Sequence, residues 1–136
     1  MTSTTLIKPE NCVLMIQQEV AERLIAKGDR ESLLSLSVKY YGEVSYIIKV
    51  PRSAFKPQPK VDSAIVKIIP NKEEIIDKEF SDRFFQIIKV GFSHPRKLVL
   101  SNLKNGFSQN KEKFDQIFQE LNIPLKARAE NIGIET

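Results

Sequence analysis

Residues 44–69 read VSYIIKVPRSAFKPQPKVDSAIVKII, and two β-type runs bracketing a proline-rich connector decide the fold class. Val44, Tyr46, Ile48 and Val50 alternate with Ser45, Ile47 and Lys49; period two and β-branched content specify a strand. Val61 to Ile69 is a second such run, apolar in both phases apart from Asp62, Ser63 and Lys67. That pattern predicts a strand inside a layered sheet with both of its faces covered. Between the runs, Pro51 to Lys60 holds three prolines in ten residues, with Arg52, Lys56 and Lys60 interleaved. Proline fixes φ, removes an N–H donor and pushes the preceding residue toward extended geometry, so this segment is a stiff connector outside the ladder.

Upstream, Val13 to Ile16 is a short apolar run that changes at Glu19, Val20, Glu22, Leu24 and Ile25 to helical spacing and stops at Lys27-Gly28. This predicts a buried strand feeding a helix with acids in its first turn and a glycine past its end. Leu33 to Tyr41 predicts another short helix, closed by Gly42. Downstream, Pro70 breaks the strand, Asn71 to Glu74 are polar, and from about Asp77 the pattern is helical to the end. Phe80, Phe84, Ile87, Ile88 and Gly91 share one helical face, and Phe114, Ile117, Phe118 and Leu121 share another; both stripes are expected to be core. A shorter helix is expected from Arg96, just after Pro95, to Asn105, with Gly106 as its stop. The natural boundary lies near residues 70–76, giving a strand-containing part over 1–70 and a helical part over 71–136. One strand-helix unit and two more strands would leave an open sheet edge and few layers to cover apolar faces, from which we expect that further chain once preceded Met1.

Composition narrows the chemistry. With 41% hydrophobic and 28% charged residues in 136, the chain has the balance of a soluble domain large enough for a core without disulfides or metal. Cys12 is the only cysteine and His94 the only histidine, which argues against zinc sites and Ser-His-Asp triads and makes Cys12 a small buried hydrophobe; no metal is expected. No apolar run approaches the roughly 20 residues that span a bilayer. With no secretory leader pattern at Met1 to Cys12, a reduced, cytoplasmic setting is expected. The net charge of +4 permits nucleic-acid contact without specifying it.

Charge placement is more informative than charge total. From Lys49 through Lys67 there are five cations and one acid, and Phe55 stands on the proline-stiffened loop among them. A ring held with little entropy to lose could stack a base, worth about 1–3 kcal/mol, while Arg52, Lys56 and Lys60 attract flanking phosphates. The residues alone favour an aromatic that anchors a loop to the core over a base platform.

Phe55-x-Pro57-x-Pro59-Lys60-Val61-Asp62-Ser63, read with Pro51 and the flanking strands, resembles the loop before the last sheet strand of the rRNA adenine dimethyltransferases. Gln17 to Leu24 resembles that family's strand-to-helix step. Gly91-Phe92 through Arg96-Lys97-Leu98, followed by Asn102-Leu103, resembles its basic helix start, and Arg128-Ala129-Glu130-Asn131-Ile132 its late signature. The resemblance implies an α+β arrangement: the closing strands of a doubly wound, Rossmann-like methyltransferase sheet, followed by a small all-helical RNA-binding domain. It implies methyl transfer from S-adenosylmethionine to adjacent adenosines of a small-subunit rRNA hairpin, with the rRNA or pre-ribosomal subunit as partner. By the same resemblance Phe55 would stack the flipped adenine, Pro57 and Pro59 would hold the ring, and Lys56 and Lys60 would contact phosphate or support the loop. Lys60 pairing with a carboxylate stays open. Arg52, Arg96, Lys97 and Arg128 would contact RNA; Pro95 stands where many relatives carry another arginine, and Arg128 could instead pair with Glu130.

The family's donor site needs a glycine-rich strand-to-helix turn, with an acid about 20 residues on. The glycines here, at 28, 42, 91, 106 and 133, are never closer than 14 residues. The Asn-Leu-Pro-Tyr type motif is not present either; Thr2 to Lys8 resembles the stretch just downstream of it, and Ile134-Glu135-Thr136 the start of a further helix. The expectation is therefore that this chain carries the target-base loop and RNA-binding tail, binds no S-adenosylmethionine well, and is inactive alone. Two alternatives stay in view: a non-catalytic RNA-binding or ribosome-assembly factor, and a macrolide-resistance-type methyltransferase of large-subunit rRNA, which shares the Phe-x-Pro-x-Pro pattern. The Lys-Val-Asp-Ser continuation and the late signature favour the small-subunit branch.

Overall fold

The computed structural model describes residues 9–26, 30–71, 77–108 and 111–134. The expected helix stop at Lys27-Gly28, most of the polar linker, Thr2 to Lys8 and the final Glu135-Thr136 lie outside them. In chain order the elements are β1 (Cys12–Gln17), α1 (Gln18–Ile25), α2 (Leu33–Tyr41), β2 (Gly42–Val50), a 3-10 turn (Arg52–Ala54), β3 (Ser63–Pro70), α3 (Lys78–Gly91), α4 (Val99–Gly106), α5 (Lys111–Glu120) and a last 3-10 turn (Ala129–Asn131).

The three strands form one antiparallel sheet in the order β1-β3-β2. Met15 lies opposite Ile65 and Leu14 opposite Val66, while Tyr46 lies opposite Val66 on the other flank. Period two then sorts the side chains. Ala64 and Val66 point to the covered face and are fully buried with Ala21 of α1, packed by Ile16, Val44 and Tyr46. Burying these groups stabilises by about 25 cal/mol per Å² of apolar surface, which binds α1 to the sheet.

Two expectations about the sheet need correction. β3 is the inner strand, but only one of its faces is sealed: Ile65 and Lys67 are half-buried and Ile69 is exposed. β1 is not buried; as an edge strand it leaves Val13, Leu14 and Met15 at 60%, 45% and 55% exposure. Apolar composition reports what a face would bury, and the described residues supply a cover on one side only.

α2 begins at Ser32, whose hydroxyl accepts from the Ser35 N–H at 3.1 Å while the Ser35 hydroxyl accepts from the Ser32 N–H at 2.8 Å. Glu31 is buried beneath this cap, accepting from Ser35 at 2.7 Å and pairing with Lys39 at 2.6 Å. Its N–H donates to the Glu130 carbonyl at 3.0 Å, tying α2 to the last 3-10 turn. Tyr40 stacks on Phe84 at 4.3 Å and bonds Ser81 at 2.9 Å, so α2 packs on α3.

The helical part packs around Val99, Leu103, Phe118, Ala127 and Ala129. The two apolar stripes are only partly core. Ile88, Gly91 and Phe118 are buried, whereas Phe80, Ile87, Ile117 and Leu121 are exposed by 41% or more. They line a groove of about 530 Å³ between α3 and α5 that no described residue fills. Cys12 is also only half-buried, on the edge strand.

Candidate nucleic-acid interface

The connector leaves β2 at Pro51, makes one 3-10 turn and returns to β3 across Lys56–Asp62. The turn closes with Ala54 donating to the Pro51 carbonyl at 2.9 Å and Phe55 donating to the Arg52 carbonyl at 3.3 Å. Phe55 then turns extended, at φ −115° and ψ 147°. The Lys56-Pro57 peptide bond is cis. Residues 51–61 are exposed except Phe55, which is half-buried. Its ring belongs to the wall of a shallow depression of about 370 Å³, formed with Pro57, Pro59 and Ser63 and with Met15, Ile16 and Gln17 at the end of β1.

Gln17 also borders a second depression of about 470 Å³, where Lys49, Arg52 and Lys60 meet Glu19, Glu22 and Asp62. The carboxylate beside the loop is Asp62, and it pairs with Lys49 at 2.8 Å rather than with Lys60. Asp62 also accepts from the Arg52 backbone N–H at 2.8 Å, and the Arg52 guanidinium donates to the Lys60 carbonyl at 3.4 Å. The hydrogen bond from Lys49, then that from the Arg52 N–H, holds the Asp62 carboxyl below its ordinary range. The same hydrogen bond, then Coulomb attraction to Asp62, raises Lys49 above the ordinary lysine value.

Of the residues expected to form the site, the fold gathers Phe55, Pro57 and Pro59 around one concavity and sets Arg52 and Lys60 on its neighbour. Lys56 is exposed on the loop between them. Arg96, Lys97 and Arg128 form a separate group in the helical part. There a β-bridge joins Leu98 to Arg128, placing Lys97 next in chain to a residue paired with Arg128. Arg128 and Glu130 approach to 4.0 Å, both half-exposed.

The expected helix start at Arg96 is displaced. α4 begins at Val99 with Leu98 as its cap, and Arg96 and Lys97 sit in the preceding turn. That turn is held from inside by Asn102, 2% exposed, whose amide donates to the Gly91 carbonyl at 2.7 Å and the His94 carbonyl at 3.1 Å. Proline at position 95 is compatible with a helix start, but the backbone bond from Lys97 to the His94 carbonyl, 2.9 Å, closes a turn there first. Sequence reasoning missed three contributors: Asp62, Asn102 and Gln17. Asp62 stood out only as the one acid in a basic run, and Asn102 and Gln17 only as members of the family-like stretches.

The described residues do not fit the methyl donor. β1 passes into α1 directly at Gln17-Gln18, with no glycine to let a backbone approach a nucleoside. What the geometry can do is present a ring to a flat base and cations to its phosphates.

The mixed α/β fold, with its three-stranded antiparallel sheet, is shared with Rossmann-like rRNA methyltransferases. The structure superposes with a TM-score of 0.75 on a dimethyladenosine transferase from Plasmodium falciparum, at 27% identity over 93% of this chain and 54% of that one. It shares the fold of the 23S rRNA methyltransferase ErmE, with a TM-score of 0.72 at 21% identity over 93% of this chain and 51% of that one. The model of the family "Ribosomal RNA adenine dimethylase" matches residues 2–135, and the chain belongs to that family. It is 39% identical, over 90% of its length, to proteins named ribosomal RNA small subunit methyltransferase A from Bacillus mycoides and Bacillus cereus. The chain spans 44% of the length of these relatives.

Proposed function

We propose that this chain supplies the target-base loop and RNA-binding surface of an S-adenosylmethionine-dependent rRNA adenine dimethyltransferase acting on small-subunit rRNA in the cytoplasm. The single observation that carries the reading is the half-buried Phe55 ring on the wall of a concavity shared with Pro57 and Pro59, next to a depression bearing Arg52 and Lys60. An exocyclic adenine nitrogen inside a helix is out of reach of any donor, so the base must be extruded and held flat. Phe55 offers the stacking face, and the prolines keep it from collapsing onto the sheet. Arg52, Lys56 and Lys60 attract the flanking phosphates, while Arg96, Lys97 and Arg128 contact RNA further along. S-adenosylmethionine would supply the methyl group when bound, and these residues do not hold it, so the chain by itself is expected to transfer none.

Two measurements test this. With labelled S-adenosylmethionine and small-subunit RNA, the purified chain should leave the RNA unlabelled; methyl incorporation would overturn the reading. Phe55→Ala should weaken binding of single-stranded adenine-containing RNA about 5- to 150-fold, the loss of one base stack. An unchanged affinity would make Phe55 a loop anchor. The small-subunit assignment predicts that precursor small subunits compete for this chain better than large ones.

A further inference from the structure

The loop that carries Phe55 has little burial of its own. Arg52 to Ala54 and Lys56 to Val61 are exposed, so hydrophobic packing holds the loop only at the half-buried Phe55. Proline stiffens the segment but attaches it to nothing. The rest of the attachment comes from one side chain. The Asp62 carboxylate receives the Lys49 ammonium on one oxygen and the Arg52 N–H on the other, both at 2.8 Å. The Asp62 carbonyl meanwhile accepts the first helical N–H of α1, from Gln18, at 3.0 Å. One residue at the foot of β3 thus grips β2, the start of the 3-10 turn and the start of α1.

The grip reaches Phe55 in one further step. The Arg52 peptide whose N–H points at Asp62 belongs to the residue whose carbonyl accepts the Phe55 N–H at 3.3 Å. We infer that Asp62 is the positioning residue of the base-stacking loop: by clamping the Arg52 peptide and Lys49 together it sets the place of the Phe55 ring over the end of β1. This rests on the reading of Phe55 as a base platform. Lys49, Arg52, Lys60, Glu19 and Glu22 are the charged groups sharing that depression. An ion pair alone at such exposure contributes little, so the Arg52 N–H bond is the larger part of the clamp.

The probe is a short single-stranded RNA with 2-aminopurine in place of one adenine, whose fluorescence falls when the base stacks. Asp62→Ala should weaken the quenching titration about two- to tenfold, the loss of one exposed hydrogen bond, in a chain that still unfolds cooperatively. Asp62→Asn keeps an oxygen for the Arg52 N–H and should restore most of the binding; Lys49→Met should match it. Trypsin should cut Arg52-Ser53 and Lys60-Val61 faster in Asp62→Ala than in the parent chain, reporting the released loop without RNA.

If Phe55→Ala abolishes quenching while Asp62→Ala titrates like the parent, the positioning role is wrong and the platform stands. If Phe55→Ala titrates like the parent, both fall. Should Asp62→Ala not fold, Asp62→Leu, which removes both acceptor oxygens but fills the same space, carries the test: parental quenching together with parental trypsin cleavage overturns the clamp.

Discussion

A buried backbone approach and an exposed carboxylate show how differently single residues act in this chain. Gly42 opens β2 opposite Pro70, and a Cβ there would stand 2.4 Å from the Ile69 carbonyl oxygen, a backbone atom that cannot swing aside. Gly42→Ala should therefore lower stability by about 1–3 kcal/mol through overpacking, read as a shifted denaturant midpoint. Asp62 acts through charge. Its carboxyl is held below its ordinary 3.8, so its contribution is complete above that value and is lost as pH falls through the lower folded one. Lys49 is held above 10.5, so its contribution is complete below that value and is lost only as pH rises through the higher folded one. The stability difference between the parent chain and Asp62→Asn should stay flat across the neutral range and shrink on acidification below the ordinary carboxylate value. Denaturation midpoints across a pH series would show it.

Among the elements, the turn before α4 is built to be rigid. The amide of Asn102 satisfies the last carbonyl of α3 and a carbonyl of the turn at once, from a position sealed off from solvent. Asn102→Ala takes its donor from the buried Gly91 carbonyl, while the His94 carbonyl keeps the Lys97 N–H, at a cost of about 1–3 kcal/mol. It should also raise amide exchange across residues 92–98, where Arg96 and Lys97 sit. If exchange there stays at the parent rate, the turn is held by its own backbone instead. Helix α2 was readable from spacing and its glycine stop: it spans Leu33–Tyr41 as its pattern predicts, and the Ser32 cap that starts it is a local signal that expectation omitted. The start of α4 was not, because the Lys97 bond to the His94 carbonyl closes a turn there first, and Asn102, a residue further along the chain, holds that turn.

For the whole molecule, Tyr40 of α2 joins the strand-containing part to the helical part, stacked against Phe84 and bonded to Ser81 of α3. Tyr40 is half-buried, so Tyr40→Ala should cost less than the roughly 3–5 kcal/mol of a fully buried ring, while Tyr40→Phe should lose about 1 kcal/mol. RNA association is a property of the whole charge distribution. Replacing Lys56 and Lys60 together by Gln should flatten the slope of log affinity against log salt by about 1.4, two phosphate contacts on a single strand. An unchanged slope would move the phosphate track to Arg96, Lys97 and Arg128.

Local order was written in the sequence: strand period, helix caps, the stiffness of Pro51 to Lys60, and the family-like run around Phe55. These depend on neighbours a few residues apart, which spacing records. Which apolar faces are covered, that Asp62 rather than Lys60 carries the ion pair beside the loop, and that Gln17 and Phe55 share a wall were decided only by tertiary structure. Each depends on groups distant in sequence meeting in space, and a sequence pattern states what a face would gain by burial without naming what arrives to bury it.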